Sequence, residues 1–189
     1  MPLHQGPFDT IGLALQDHLL SDDWTRVDIA VAWINHSFSN SPSGEGSFDL
    51  INAFETFLDR DGTELHLTFG NSLHGSEREG VDLFRDLALD GEGRAVNLYA
   101  FQGDATFHPK AYMFSNENTQ MGCLLVGSAN LTFAALVNNY EVMLEIAGGL
   151  DDEDFVVARE FFDRMQAWQQ QAEQVENEVV VDRLILGGE

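Results

Sequence analysis

Lysine is almost missing from this chain: of nine basic residues, eight are arginine and one, Lys110, is lysine. Cysteine is scarcer than a disulfide needs, because Cys123 is the only one and has no partner within the chain. It sits in the apolar run Met121 to Val126 and reads as buried filler. No stretch approaches the apolar length of a membrane span, and the first residues lack the basic and apolar regions of a signal peptide, so the expectation is a cytoplasmic protein that uses no membrane. Positive charge is scarce overall, with thirty-two acidic residues setting the formal net charge at -23. The acids are spread along the sequence, which excludes a disordered acidic tail. Self-repulsion of this size is tolerated at high salt, so a halophilic source is the preferred reading. An unusually acidic mesophilic surface and a mimic of nucleic acid are the alternatives.

What is present is an ordinary globular pattern. A length of 189 residues with 44% hydrophobic content fits one domain spanning 1–189. Helical spacing of apolar residues predicts helices over 9–20, 48–59, 77–89 and 151–171, the last with acidic residues at its start, where the helix dipole favours them. Short apolar runs predict strands over 27–34, 64–69, 95–101, 110–114, 121–127 and 139–146. The segment 179–186 reads as a last strand or a docking segment, and 35–47, rich in Ser, Asn and Gly, reads as a flexible loop. Helix and strand alternate through the first half, and a hairpin follows in the second. The expected fold class is α/β, with a mixed, largely parallel sheet flanked by helices on both faces.

The single lysine stands two residues after a histidine, in His108-Pro109-Lys110, a placement chance rarely gives with six histidines in the chain. Residues two apart on a strand project to one side, so the imidazole and the ammonium share a face. A hairpin pairing Ser115 with Gln120 would set His108 opposite Gly127, beside Ser128, Ala129 and Asn130. There Gly127 would let the backbone turn, leaving Ser128 and Asn130 as hydrogen-bond donors. Such donors suit the fixed charge of a phosphodiester, with the imidazole as nucleophile or proton carrier. Glu141 supplies a carboxylate to orient the ring if Val142 and Leu144 face the core and Glu141, Met143 and Glu145 the other side.

Together, His108-Pro109-Lys110, Gly127-Ser128-Ala129-Asn130-Leu131-Thr132 and Asn139-Tyr140-Glu141 resemble the His-x-Lys motif of the phospholipase D superfamily, closest to its metal-independent nuclease and restriction-endonuclease branch. The resemblance implies that His108 is a nucleophile forming a phosphohistidine, that Lys110 and Asn130 hold phosphate oxygens, that Ser128 assists at the phosphate and that Glu141 orients His108. It implies no metal and no cofactor. The fuller family pattern has an aspartate five residues after the lysine, where Ser115 stands here, a position that supports structure rather than reacting. In-line displacement needs a nucleophile on one side of phosphorus and a proton donor on the other, and the family uses two His-x-Lys copies. One copy per chain therefore implies a homodimer with the site at its seam.

These readings make the chain a nuclease acting on DNA or RNA. The alternatives are a non-catalytic binding or dimerisation module of the same fold and a lipid phosphodiesterase, the latter weakened by the lack of a basic or amphipathic anchor. No appended recognition domain is evident, so sequence specificity would require a separate specificity or helicase partner chain. Arg26, Arg78, Arg85 and Arg94 are candidates for a basic rim. Asn130 has a plainer reading as a helix cap, and Glu141 as one surface carboxylate among many. His4, His18, His36 and His74 show no metal-ligand spacing, His66 reads as half-buried strand, and Phe155 to Trp168 as helix core.

Overall fold

The computed structural model describes residues 3–5, 11–36, 49–70, 76–91, 93–101 and 106–175. The segment 179–186, most of the 35–47 loop and His74 lie outside the described residues. In chain order the elements are β1 (Leu3–Gln5), α1 (Ile11–Leu20), β2 (Arg26–Val31), α2 (Leu50–Leu58), β3 (Glu64–Gly70), α3 (Arg78–Asp90), β4 (Ala95–Phe101), β5 (Lys110–Asn116), β6 (Met121–Gly127), β7 (Val142–Gly149) and α4 (Glu153–Val175). A single π-helical turn occupies Ala134–Asn138.

All seven strands join one sheet in the order β1-β7-β6-β5-β2-β3-β4. The β2, β3 and β4 strands run parallel, as crossover through a helix requires. The other four pairings are antiparallel, so the sheet is mixed as expected but less parallel than the sequence suggests. The physical reason lies in the connections. From β5 onward no α-helix stands between the strands: a turn of four residues joins β5 to β6, and the connection carrying the π-helical turn joins β6 to β7, so each strand returns antiparallel beside the last.

Alternation along the strands gives the sheet two covered faces. Val27, Ile29 and Val31 of β2, Leu65 and Leu67 of β3, Tyr112 and Phe114 of β5, and Cys123 and Leu125 of β6 pack with α1, α2 and α3. Ala30, Met113 and Leu124 face the other way, onto Phe155 and Phe162 of α4. The α4 helix seats closely because Gly122 carries no side chain: a Cβ there would stand 2.6 Å from the Phe155 ring. The α2 helix starts where Asp49 accepts a hydrogen bond from the Asn52 backbone N–H at 3.0 Å, satisfying one of the open donors of the first turn. None of the described helices is long and apolar enough to cross a membrane.

Two strand limits differ from expectation. The β2 strand stops at Val31, and Trp33 beyond it is 41% exposed rather than buried on both faces. The β7 strand begins only at Val142 and continues to Gly149, leaving Glu141 in the approach to it. The hairpin register also slips: Ser115 faces Gly122 and Asn116 faces Met121, not Ser115 and Gln120. Asn116 sets this turn by accepting hydrogen bonds from the backbone N–H groups of Asn118 and Thr119, an Asx-type device. A slip of two residues preserves every facing direction, so the side on which Lys110 lies is unchanged.

Candidate active site

Lys110 opens β5 directly beside Val31, the last residue of β2. Continuing the β5–β6 pairing one step past Ala111 and Val126 brings Lys110 level with Gly127, where β6 ends. The site therefore forms where β2 and β6 end and β5 begins. Gly127 is needed there for a reason other than a turn. A Cβ would lie 2.0 Å from the Val142 carbonyl oxygen and 2.9 Å from the Met143 Cα, so β7 approaches too closely for any side chain.

Lys110 is 8% exposed, whereas His108 is on the surface. The Lys110 Nζ lies 2.8 Å from His108 Nδ1, 3.1 Å from its Nε2 and 3.1 Å from the His108 carbonyl oxygen. Burial holds the ammonium below the usual lysine range, and the charge of Glu141 works in the opposite direction. The His108 ring is also fixed from the side by Trp33, edge-on at 6.0 Å between centroids and 86° between planes.

Asn130 is 7% exposed, and its Oδ1 accepts from the Trp33 backbone N–H at 3.2 Å, tying the loop after β6 to the loop after β2. The same seam is stitched by the Ile34 to Leu131 bridge and by the Asn35 N–H donating to the Leu131 carbonyl. Asn130 does not cap the following turn. That task falls to Thr132, whose Oγ1 accepts from the Ala135 N–H at 3.3 Å, which leaves the Asn130 amide facing the site loops. Beneath them the buried Tyr112 hydroxyl donates to the Ala129 carbonyl at 3.1 Å.

The Ser128 hydroxyl donates to Glu141 Oε2 and accepts from the Val142 N–H at 3.1 Å, and Asn139 Nδ2 donates to Glu141 Oε1 at 3.1 Å. Glu141 thus has both oxygens engaged with Ser128 and Asn139. The expected hydrogen bond from the His108 ring to Glu141 is absent among the described residues, and Lys110 occupies the ring instead. The facing of the strand is also reversed relative to expectation: Met143 is buried against the main core and Val142 is 47% exposed. Glu141 nonetheless precedes β7 close enough for its charge to act on Lys110 and on the Tyr112 phenol, which burial pushes up.

Sequence reading missed Trp33, absorbed into a buried strand, and Asn139, whose signal is its place two residues before Glu141. It also proposed an arginine rim that the structure does not assemble. Arg26 binds Asp28 and Glu64 at the opposite end of β2, Arg94 binds Asp59, and Arg78 and Arg85 both bind Asp82. Indeed all seven arginines among the described residues have a carboxylate within 4 Å, adding Arg60 with Asp22, Arg159 with Glu117 and Arg164 with Glu160. Lys110 alone among the described cations is not ion-paired. Ser115, the departure from the family pattern, is buried at the far end of β5, roughly 17 Å along the strand from Lys110. A pocket at that end, lined by Arg26, Asp28, Glu64, Ser115 and Arg159 among others, is separate from the site.

No protein-family model and no curated protein matches the sequence. Solved structures do match. NucT from Helicobacter pylori superposes with a TM-score of 0.62 at 18% identity, over 88% of this chain and 94% of that one. Nuc from Salmonella typhimurium, a phospholipase D family member, gives 0.60 at 17% identity, over 88% and 91%. Yeast tyrosyl-DNA phosphodiesterase 1 gives 0.50 at 12% identity, over 80% of this chain and 33% of that one. With the mixed sheet, its strand order and helices on both faces already established, the chain has the phospholipase D fold.

Proposed function

We propose that this chain is a metal-independent phosphodiesterase, specifically a nuclease that hydrolyses DNA or RNA through a phosphohistidine at a site shared by two subunits. The observation that carries the reading is the state of Lys110. In a chain where every described arginine is neutralised by a carboxylate, the one lysine is buried and left to a histidine. Such a cation is ready for a phosphate oxygen without first breaking an ion pair.

In the proposed cycle a phosphate draws Lys110 off the ring and takes the Ser128 hydroxyl and the Asn130 amide, which frees Glu141 to hold one His108 nitrogen. The other ring nitrogen attacks phosphorus. The bond to the leaving oxygen breaks with its electron pair, and that oxygen receives a proton from the partner subunit's His108. Water then attacks the phosphohistidine, giving its proton to the partner subunit's His108. The P–N bond breaks, returning His108 and a phosphomonoester end. Exposed Val126, Tyr140 and Val142 around this corner supply apolar surface for a second chain. Net repulsion of a polyanion is reduced at about 1 M salt, where the Debye length is about 3 Å. The fold alone does not select this chemistry.

The test is cleavage of single- and double-stranded DNA and RNA in excess EDTA, from low to molar KCl, comparing wild type with His108→Ala. Activity is expected to survive chelation, rise with salt and vanish in the variant, and an alkali-stable, acid-labile phosphate adduct should form on His108. A folded, dimeric wild type inactive on every substrate, or a variant equal to it, would falsify the catalytic reading and favour a binding module.

A further inference from the structure

Away from the catalytic corner, three residues with no sequence relation meet between α1 and the β6–β7 pair. His18 Nε2 lies 3.3 Å from Glu145 Oε2 and 3.5 Å from Cys123 Sγ, and all three ligand atoms lie within 4.8 Å of one another. The geometry points to a site for one zinc-like divalent ion, held by His18, Cys123 and Glu145 with solvent completing the shell.

One ring nitrogen faces both a thiol and a carboxylate. A single N–H serves two such partners poorly, whereas a metal between them is bound by all three. Tetrahedral Zn–N, Zn–O and Zn–S bonds of about 2.0, 2.0 and 2.3 Å place nitrogen about 3.3 Å from oxygen and about 3.5 Å from sulfur. The two observed separations are close to these. The carboxylate can close any remaining gap to the sulfur by turning about its own side-chain bonds, because it reaches from the strand next to the thiol: Cys123 pairs with Ala147, two residues beyond Glu145.

The site is also prepared. The His18 ring stacks on Phe114 at 4.9 Å and leans on Trp24 at 6.1 Å, which fixes its direction. Cys123 is 1% exposed, and the side chains of His18 and Glu145 are 19% and 15% exposed, enough for entry from one side. Thiolate and imidazole exclude magnesium and calcium, which take oxygen shells, and select a borderline ion.

Cys123 lies four residues before Gly127 on β6, and Glu145 four residues after Glu141, so the ion would clamp to α1 the two strands whose ends adjoin Ser128 and Glu141. At about 13 Å along the strands it is too far to touch a substrate. Its role is structural and does not rest on the catalytic reading.

The full chain, stripped with EDTA, reduced and held in excess magnesium to occupy surface carboxylates, is titrated with Co(II) and then Zn(II). Because the chain has one cysteine, a thiolate-to-cobalt charge-transfer band can report only Cys123. We expect that band at one equivalent, its loss on adding Zn(II), and a Zn(II)-dependent rise in Tm. Cys123→Ser should abolish the band, while His18→Ala should weaken binding by roughly tenfold or more. A folded wild type that shows no band overturns the site, as does a His18→Ala protein with unchanged affinity. Glu145→Gln, which alters only charge and one ligand atom, should lower affinity while leaving the band in place at saturation.

Discussion

The two ends of β5 treat charge in opposite ways. At its far end, around Ser115, the cation is fully paired: Arg26 grips Asp28 through two bonds of 2.6 and 2.8 Å and reaches Glu64 at 3.0 Å, while Gln166 of α4 adds a further bond to Asp28. At its near end Lys110 has no carboxylate partner and leans on an imidazole. Burial of a charge is costly, and pairing offsets that cost. The far end is therefore built for stability, whereas the near end holds an incompletely satisfied cation, the condition for receiving an anion from outside.

The largest expected effect is a crossover between these ends. Lys110→Met should lower kcat/KM by about 10² to 10³-fold, the loss typical of one charge-stabilising donor, and should leave stability unchanged or improved because a desolvated cation is gone. Arg26→Met should do the reverse. It leaves Asp28, only 2% exposed, without its guanidinium, at a cost of about 3 kcal/mol, the low end for a broken buried pair because Gln166 persists. Activity per folded molecule should be retained. Denaturant midpoints read beside single-turnover rates check both, and a Lys110→Met protein with full activity would end the comparison.

Next in size is Gly127→Ala. The added Cβ meets the backbone of β7 rather than a side chain that could swing away, so strand pairing beside the site must open. The expected cost is about 3 kcal/mol, with activity falling together with stability, unlike Lys110→Met. Thermal unfolding and rates measured on one preparation separate the two patterns.

Much of this arrangement is legible in the sequence, for identifiable reasons. The parallel half follows from the alternation of apolar periods, and the nearness of His108 to Lys110 from their two-residue spacing, although His108 lies just before β5 and not on the strand as expected. A two-residue slip in the hairpin did no harm because it keeps the facing of every side chain. What sequence could not show is where carboxylates go. Glu141 is met by Ser128, which reaches it only through the β6–β7 pairing, and by its neighbour Asn139, and the arginines proposed as a rim are each claimed by a nearby acid. His18, set aside for lack of ligand spacing, meets Cys123 and Glu145 across more than one hundred residues of chain. Spacing rules see only local ligand sets. Trp33 was lost because an apolar run does not announce where its strand stops.

Trp33 offers a finer probe of the near end. Its exposed indole stands edge-on to the His108 ring, and in the proposed nuclease it would be placed to stack a base beside the phosphate. Base stacking on an aromatic contributes about 1 to 3 kcal/mol. Trp33→Ala should therefore raise KM for single-stranded substrates by about 5- to 150-fold while scarcely changing the rate on a small chromogenic phosphodiester that has no base. Equal losses on both substrates would show that the indole serves the His108 ring and not the substrate.

The smallest effect concerns the pH at which the near end loses its charge. Burial lowers the Lys110 pKa, and Glu141 partly restores it. Since kcat/KM reports the free enzyme, its alkaline limb should fall below the pH at which an ordinary lysine titrates. Glu141→Gln removes the restoring charge and should move that limb further down, separately from any drop in its height. Stability has a matching sign. The unfolded chain holds the Lys110 proton more tightly than the native one, so between the native and the ordinary lysine pKa stability rises with pH, and this window widens in Glu141→Gln. A limb that stays in place would mean that Glu141 acts on the site through its hydrogen bonds to Ser128 and Asn139 and not through its charge on Lys110.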